Sequence, residues 1–150
     1  MRRLDQILAS LGYGSRREAA GWVAESRVCI GGVPVKRAGQ KGAPAAVTLD
    51  GEALEAPNGL LAMLHKPVGY TCTHSQAEGP TIYDLLPETW LRRNPAVTSI
   101  GRLDKDTSGL LLLTDIGPLV HRLTSPKSDM EKVYVAGLDR DIDAGLVEVF

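Results

Sequence analysis

The sequence predicts an α+β protein with two domains, a small α-α-β domain followed by a larger domain built on a sheet. Near the N-terminus, apolar residues recur at helical spacing, and short apolar runs around Gly-Gly and Asp-Gly turns follow them. Apolar residues dominate segments 60–65 and 110–113, which is typical of buried strands. The Pro- and Gly-containing segment 57–59 interrupts these patterns. We therefore expect domains at 1–56 and 60–150, joined by a linker at 57–59.

Two helices open the chain. The apolar side chains of the first helix fall at positions i, i+3, i+4 and i+7, namely Leu4, Ile7, Leu8 and Leu11. Gly12 can end this helix. Ser15 and Glu18 have the spacing of a capping box, which predicts a second helix that continues to about Ser26. The first turn of that helix directs Arg16 and Arg17 outward.

Two hairpins follow the helices. Val28–Ile30 and Val33–Val35 flank Gly31-Gly32, and a second pair of apolar segments within 47–54 flanks Asp50-Gly51. Both dipeptides are typical of two-residue hairpin turns, because glycine and aspartate tolerate positive φ.

The N-terminal segment resembles the S4 RNA-binding domain over about 55 residues. The resemblance lies in Arg-Leu-Asp at 3–5, Ser-Arg-Arg-Glu-Ala at 15–19 and Arg-Val-x-Ile-x-Gly at 27–32. It implies that the second helix and the hairpin lie against structured RNA. The implied phosphate contacts are Arg3, Arg16, Arg17, Arg27 and Lys36. Such contacts orient an RNA without reading its sequence.

Charge is distributed unevenly between the two halves. Up to Lys41 the chain has eight basic and three acidic residues, and beyond it nine basic residues stand against fifteen acidic ones, although the net charge is only −1. A basic module on an acidic body favours binding of a polyanion by the N-terminal domain. A solvated basic face without a ligand is the alternative.

Composition excludes other protein classes. The chain has 150 residues, 43% of them hydrophobic, and no apolar run that approaches the roughly 20 residues of a membrane span. It has no signal-peptide pattern, so we expect a cytoplasmic protein. Cys29 and Cys72 lack metal-ligand spacing and are expected to be free, buried thiols.

The most informative segment is Gly-Arg-Leu-Asp-Lys-Asp-Thr-Ser-Gly at 101–109, followed at once by four leucines. If it is extended, Arg102 and Asp104 share one face while Leu103 turns into the core, and the guanidinium keeps the carboxylate ionised. Residues 106–109 are predicted to form a tight turn. Leu110–Leu113 is predicted to be a strand that is buried on both faces.

Three interpretations of this segment compete. The first is a polar turn before a core strand. The second is a calcium-binding loop, because several residues match the spacing of an EF-hand, namely Asp104, Asp106, Ser108, Gly109 and Asp115. The segment 94–101 opposes it, because its proline, glycine and β-branched residues do not favour the helix that an EF-hand requires. The third interpretation is a catalytic segment.

The third interpretation comes from a resemblance. Gly-Arg-Leu-Asp-x-Asp-Thr-Ser-Gly-Leu-Leu resembles the active-site segment of pseudouridine synthases, and Lys-Pro-x-Gly-Tyr at 66–70 and Lys-x-Tyr at 132–134 resemble other motifs of that family. The chain looks most like the members that modify ribosomal RNA and have an N-terminal S4 domain, the small-subunit enzyme in particular. Asp104 is then the implied nucleophile or base. Arg102 would fill the space that a flipped uridine leaves, Tyr134 would hold the uracil, and Lys66 would border the substrate.

The resemblance also implies a reaction, its RNA substrate and the state of the protein. It implies uridine-to-pseudouridine isomerisation in small-subunit ribosomal RNA or its assembly intermediate, without metal or cofactor, by a full-length protein that is monomeric and binds neither DNA nor membrane. Large-subunit RNA is the alternative substrate. A non-catalytic S4-type RNA-binding protein remains a rival interpretation.

The remaining segments follow from local patterns. We predict a short helix at 81–87, a helix within 114–126 that stops at Ser125-Pro126, a half-buried strand at 131–136 and the start of a helix at 143–150. The family has a mixed or antiparallel catalytic sheet and continues beyond the length of this chain. The resemblance therefore implies that the catalytic domain is incomplete here. The chain is then either a fragment, which we favour, or completes its fold by pairing with another copy.

Overall fold

A computed structural model describes residues 1–139 of the chain. Its N-terminal unit contains helices α1 (Leu4–Ser10) and α2 (Arg16–Ala24). Strand β1 (Arg2–Arg3) pairs antiparallel with β4 (Lys41–Gly42). An antiparallel sheet has the order β3-β2-β5-β6, with β2 at Val28–Ile30, β3 at Val33–Pro34, β5 at Val47–Leu49 and β6 at Glu52–Ala53. A 3₁₀ turn, Pro44–Ala46, precedes β5.

Local sequence signals account for these elements. The capping box is formed, because the Glu18 amide donates to Ser15 Oγ and the Ser15 amide donates to Glu18 Oε2. Asp50 and Gly51, with φ of 55° and 89°, make the turn between β5 and β6. The predicted helices and both hairpins are therefore confirmed, with α2 ending at Ala24 rather than near Ser26.

The C-terminal unit is built on a second sheet. Its strands β7 (Leu61–Lys66), β8 (Thr98–Ile100) and β9 (Gly109–Thr114) pair antiparallel in the order β7-β9-β8. Helices α3 and α4 span Glu88–Leu91 and Gly117–Thr124. Three 3₁₀ turns complete the unit, at Gln76–Glu78, Ile82–Leu85 and Pro126–Ser128. The helix predicted at 81–87 is thus a 3₁₀ turn, whereas the helix after β9 is confirmed.

Each unit has its own hydrophobic core. The first core consists of Leu4, Ile7, Leu8, Leu11, Ala19, Val23, Val28, Val35, Val47 and Leu54. The second consists of Leu60, Ile82, Tyr83, Val97, Leu111 and Leu113. This arrangement confirms the α+β class. The domain boundaries that we predict at 56 and 60 lie between the two cores and remain predictions.

The sheet of the second unit buries only one face within the described chain. Leu111 and Leu113 are 4% and 1% exposed, whereas Leu110 is 67% exposed on the opposite face. Met63, which lies directly across from Leu112, is also exposed. The prediction of a strand buried on both faces is therefore wrong. Four leucines in a row indicate burial, but only the packing of neighbouring segments decides which face is covered.

The segment predicted to be a strand at 131–136 has no regular structure. Alternating side chains favour a strand only where another strand supplies hydrogen bonds, and none of the strands within residues 1–139 pairs with this segment. The helix predicted at 143–150 lies outside the described residues. No helix within the described range is long and apolar enough to cross a membrane.

Candidate active site

Strand register brings the motif-bearing segments together. The segment 101–108 connects β8 to β9, which are neighbours in the sheet. On the other side of β9, Lys66 at the end of β7 lies opposite Gly109. The side chain of Lys66 therefore lies next to the segment 101–108, although nearly forty residues separate them in the sequence.

Lys66 is buried beneath this loop. Its side chain is 0% exposed, and its ammonium donates to Thr107 O at 2.6 Å and to Asp104 O at 2.8 Å. Longer contacts reach Pro67 O and Lys105 O. Backbone carbonyls thus surround the ammonium, and the predicted substrate contact of Lys66 stays a prediction. We propose that Lys66 also supports the loop that positions Asp104.

Other hydrogen bonds to main-chain carbonyls of the loop complete its support. The Gly69 amide donates to Lys105 O at 2.7 Å, and the Cys72 thiol donates to Leu103 O at 3.4 Å. The Thr107 amide donates to Asp104 O, so the turn spans 104–107 and not 106–109 as predicted. Leu103 packs against the second core, as predicted. The backbone of the loop is thus held from below while its polar side chains stay exposed.

Arg102, Leu103 and Asp104 form one wall of an open cleft of about 350 Å³. The opposite wall consists of Thr71, Cys72, Thr73, Ser75, Ala77 and Glu78. Both Arg102 and Asp104 are exposed, and no ion pair joins them in the part of the chain that the structure describes. The predicted ion pair between the two side chains is therefore not found.

The wall at 71–78 was not predicted as a functional segment. The Thr71 amide donates to Pro80 O, and the Ile82 amide donates to Thr71 O, so the ends of the segment lie close together. The Lys105 ammonium donates to Glu78 O and links the two walls. The only sequence signal was a run of small polar residues after Gly69-Tyr70, which a surface loop would also produce.

Tyr134 does not reach this cleft. It is 86% exposed in the irregular segment after α4 and is absent from the cleft walls. Its proposed contact with uracil is not tested by this arrangement. Because the segment has no partner strand within residues 1–139, nothing there holds the ring against the cleft.

The arginines of the N-terminal unit are organised by carboxylates. Asp5 accepts two hydrogen bonds from Arg3 at 3.0 and 3.1 Å, and two from Arg16 at 3.0 and 2.7 Å. The Arg3 and Arg16 guanidiniums lower the pKa of Asp5 from 3.8 to about 2, against the opposing effect of burial. Each guanidinium keeps further N–H groups that face solvent, with 46% and 56% of the side chain exposed.

The other candidate RNA contacts are also on the surface. Arg27 donates to both oxygens of Asp50 at 2.7 Å and lies over the ring of Trp22. Arg17 and Lys36 are exposed and form no side-chain hydrogen bond to another residue of the described chain. All five cations are therefore accessible to a phosphate backbone, which remains a proposed role.

The site suits chemistry by a carboxylate. An exposed Asp104 on a fixed backbone can act as nucleophile or base toward a group that enters the cleft. The calcium-loop interpretation fails, since strands β8 and β9 flank the segment where an EF-hand needs helices. Within residues 1–139 no cluster of three or more metal-ligating side chains is found.

Comparison with known proteins agrees with the motifs. A family model described as RNA pseudouridylate synthase matches residues 61–147, more than half of the chain, and an S4 domain model matches residues 2–41. An uncharacterized RNA pseudouridine synthase of Aquifex aeolicus is 39% identical over 142 residues, covering 93% of this chain and 59% of that protein.

Relatives named for either ribosomal subunit are found. The ribosomal small subunit pseudouridine synthase A of Pasteurella multocida is 38% identical, covering 95% of this chain and 61% of that protein. The ribosomal large subunit pseudouridine synthase B of Pseudomonas aeruginosa is 36% identical, covering 97% and 39%. The chain thus spans between 39% and 61% of the length of these three curated relatives. The two family models show that the chain belongs to the RNA pseudouridylate synthase family and has an S4 domain at its N-terminus.

Proposed function

We propose that this protein converts a specific uridine of ribosomal RNA to pseudouridine, with small-subunit RNA as the substrate. The observation that supports the proposal best is the position of Asp104, an exposed carboxylate on a loop whose carbonyls are bound by Lys66, Gly69 and Cys72. Family membership supports isomerisation. Relatives named for both subunits leave large-subunit RNA as the competing substrate.

The proposed reaction needs no redox partner. The glycosidic bond between C1′ and N1 breaks, the uracil turns, and a bond forms between C1′ and C5. The proton on C5 is lost and N1 gains one, so the composition of the nucleoside does not change. Asp104 can attack C1′, add to the base or remove a ribose proton, and a fixed carboxylate serves each of these steps.

The substrate has to leave the RNA helix before it can react. Flipping a base out of a stack costs a few kcal/mol. The exposed Arg102 guanidinium, in the same wall as Asp104, can occupy the space that the uridine leaves and contact the neighbouring phosphates. The S4 arginines would meanwhile hold the RNA by its backbone, at sites independent of the cleft. A protein with this role acts on ribosomal RNA in the cytoplasm.

The test compares ribosomal RNA from cells that produce the unsubstituted protein with RNA from cells in which the gene encodes Asp104→Asn. Carbodiimide labelling and primer extension locate every pseudouridine in both subunits. We expect one site in small-subunit RNA to be lost in Asp104→Asn and kept in the matched control Asp106→Asn, an exposed aspartate of the same loop.

Loss of a site in large-subunit RNA would move the proposal to the other subunit. An unchanged pseudouridine pattern in Asp104→Asn, together with salt-sensitive binding of purified protein to ribosomal RNA, would refute isomerisation and favour a non-catalytic RNA-binding protein.

A further inference from the structure

A buried ion pair holds the segment that joins the two cores. The Arg93 side chain is 1% exposed, and its Nε lies 2.7 Å from Asp115 Oδ2. The two terminal nitrogens of the same guanidinium donate to Glu55 O at 3.2 Å and to Ala56 O at 2.8 Å. One arginine of the second unit thus binds the main chain where it leaves the first unit.

Asp115 holds the other end of this segment. Its second oxygen, Oδ1, accepts from the Leu60 amide at 2.7 Å, and Thr114 Oγ1 donates to Leu60 O at 2.6 Å. Gly59 has a φ of +122°, and a Cβ at this position would lie 2.7 Å from Ile116 Cγ1. The first end of the segment is therefore bound by Arg93, and the second end is fixed to the end of β9 and the start of α4.

The two units also touch directly. The Asn94 amide of the second unit donates to Ser10 O of the first at 2.9 Å. Within the first unit, the Glu55 amide donates to Tyr13 Oη at 2.8 Å and ties the start of the joining segment to the residues after α1. Gly12 has a φ of +84°, and a Cβ there would lie 2.0 Å from Thr89 O. The end of α1 consequently approaches α3 more closely than any other residue type would allow.

Apolar packing does not seal this junction. A cavity of about 400 Å³ opens beside the ion pair, and its lining includes Arg2, Ser10, Pro57, Arg93 and Asp115. With space of that size at the contact, the relative position of the units depends on polar bonds. Removal of the guanidinium would leave the buried Asp115 carboxylate without its cation, with only the Leu60 amide as a donor, and would remove the donor to two main-chain carbonyls, which is unfavourable.

The junction and the Asp104 loop lie at opposite ends of the same sheet. Strand β7 starts next to the joining segment and ends at Lys66 beneath the loop, and its six residues span roughly 17 Å. At this distance a rotation of about 10° at the junction displaces a group by roughly 3 Å. A misplacement of about 1 Å can already lower a reaction rate about 100-fold.

We infer that Arg93, paired with Asp115, is a positioning residue that fixes the S4 unit in one orientation relative to the Asp104 cleft. RNA bound by the arginines of the first unit is then presented to the cleft in one register. The catalytic consequence rests on the proposed function, whereas the fixed orientation does not. Neither residue touches the cleft or the arginines around Asp5.

The orientation can be measured without RNA or catalysis. Spin labels are attached to Glu52→Cys in the first unit and Arg122→Cys in the second, in a Cys29→Ser, Cys72→Ser background. Both labelled positions are exposed and lie outside the junction. Pulsed dipolar spectroscopy then gives the distribution of distances between the units. We expect a single narrow maximum in the otherwise unsubstituted chain.

The variants separate positioning from simple stability. Arg93→Ala is expected to lose the single maximum and Arg93→Lys to retain part of it. The control Lys127→Ala, which removes an exposed cation of the second unit away from the junction, is expected to keep it. Trp22 and Trp90 report on the first and second core respectively, so their fluorescence shows that both cores remain folded. In cells, Arg93→Ala is expected to lower pseudouridine formation at least about 10-fold, with RNA affinity of the protein kept.

A broad distribution of distances between the labels in the otherwise unsubstituted chain would overturn the inference. So would an unchanged narrow distribution in folded Arg93→Ala. If Arg93→Ala does not fold, Gly12→Ala decides the matter, since it disturbs the junction from the other side. The fluorescence of Trp22 and Trp90 again shows whether both cores are folded. An unchanged distribution of distances between the spin labels in Gly12→Ala would then overturn the inference that the junction fixes the orientation of the two units. Absence of pseudouridine formation by the unsubstituted protein would refute only the proposed function, because the distance measurement does not depend on it.

Discussion

Replacement of Lys66 by methionine removes the buried ammonium and keeps most of the aliphatic side chain. In the parent protein this ammonium donates to Thr107 O at 2.6 Å and to Asp104 O at 2.8 Å, in a site with no solvent exposure. Methionine has no donor, so both carbonyls would lose a strong partner. The variant therefore isolates the contribution of the ammonium to the loop and to the fold.

The expected loss follows from these contacts. A hydrogen bond to a charged group contributes about 1.5–3 kcal/mol, and two such bonds are lost. Removal of a buried cation also relieves its desolvation penalty, which offsets part of this loss, so the free energy of unfolding should fall by about 2–4 kcal/mol. The stem of Lys66 remains packed in the variant, so a cavity adds little to this figure.

Urea unfolding followed by Trp90 fluorescence measures the effect, because Trp90 packs against the second core. Trp22→Phe in all samples removes the signal of the first unit. Lys105→Met is the matched control, since Lys105 is exposed and donates only to Glu78 O. Equal stability of Lys66→Met and Lys105→Met would refute the role of the buried ammonium.

Two further predictions concern the cores. Leu113→Ala removes a side chain that is 1% exposed and should lower the free energy of unfolding by about 2–5 kcal/mol. Leu110→Ala on the same strand removes a side chain that is 67% exposed and should change this free energy by less than about 0.5 kcal/mol. Equal losses in the two variants, measured by urea unfolding, would show that both faces of the sheet are covered. Asp5→Asn should be less stable than the parent at pH 7. Because its partners Arg3 and Arg16 lower the pKa of Asp5 from 3.8 to about 2, the stabilisation is present above about pH 4 and is lost as the pH falls toward 2. Urea unfolding between pH 2 and pH 7, followed by Trp22 fluorescence, measures the difference in free energy of unfolding between Asp5→Asn and the unsubstituted protein. This difference should become smaller as the pH falls from 4 to 2, and a constant difference would contradict the role of Asp5.

The N-terminal unit was predictable because its signals are local. The capping box of Ser15 and Glu18 and the Asp50-Gly51 turn each act over a few residues, and both form as expected. The pattern Leu4, Ile7, Leu8 and Leu11 likewise requires only that one helix face be buried. Asp5 as the common partner of two arginines was not predicted, since its spacing of eleven residues from Arg16 gives no periodic signal.

The C-terminal unit was harder to predict because its decisive contacts are distant in the sequence. The motif around Asp104 indicated a loop next to a strand, but the position of Lys66 depends on the register between β7 and β9. Burial of only one sheet face and the lack of a strand at 131–136 likewise depend on which segments supply partners. Local propensity does not contain that information.

The same register explains how a surface loop can be both exposed and fixed. Six consecutive pairs between β7 and β9 end at Lys66 opposite Gly109, which places a cation directly below the turn at 104–107. The carbonyls of that turn point down to the ammonium, so the side chain of Asp104 can face the cleft without forming any contact of its own. A shift of the register by one residue would move Lys66 to the opposite face of the sheet and leave the turn unsupported. Pairing along the sheet, rather than any contact made by Asp104, therefore determines where the proposed catalytic carboxylate lies.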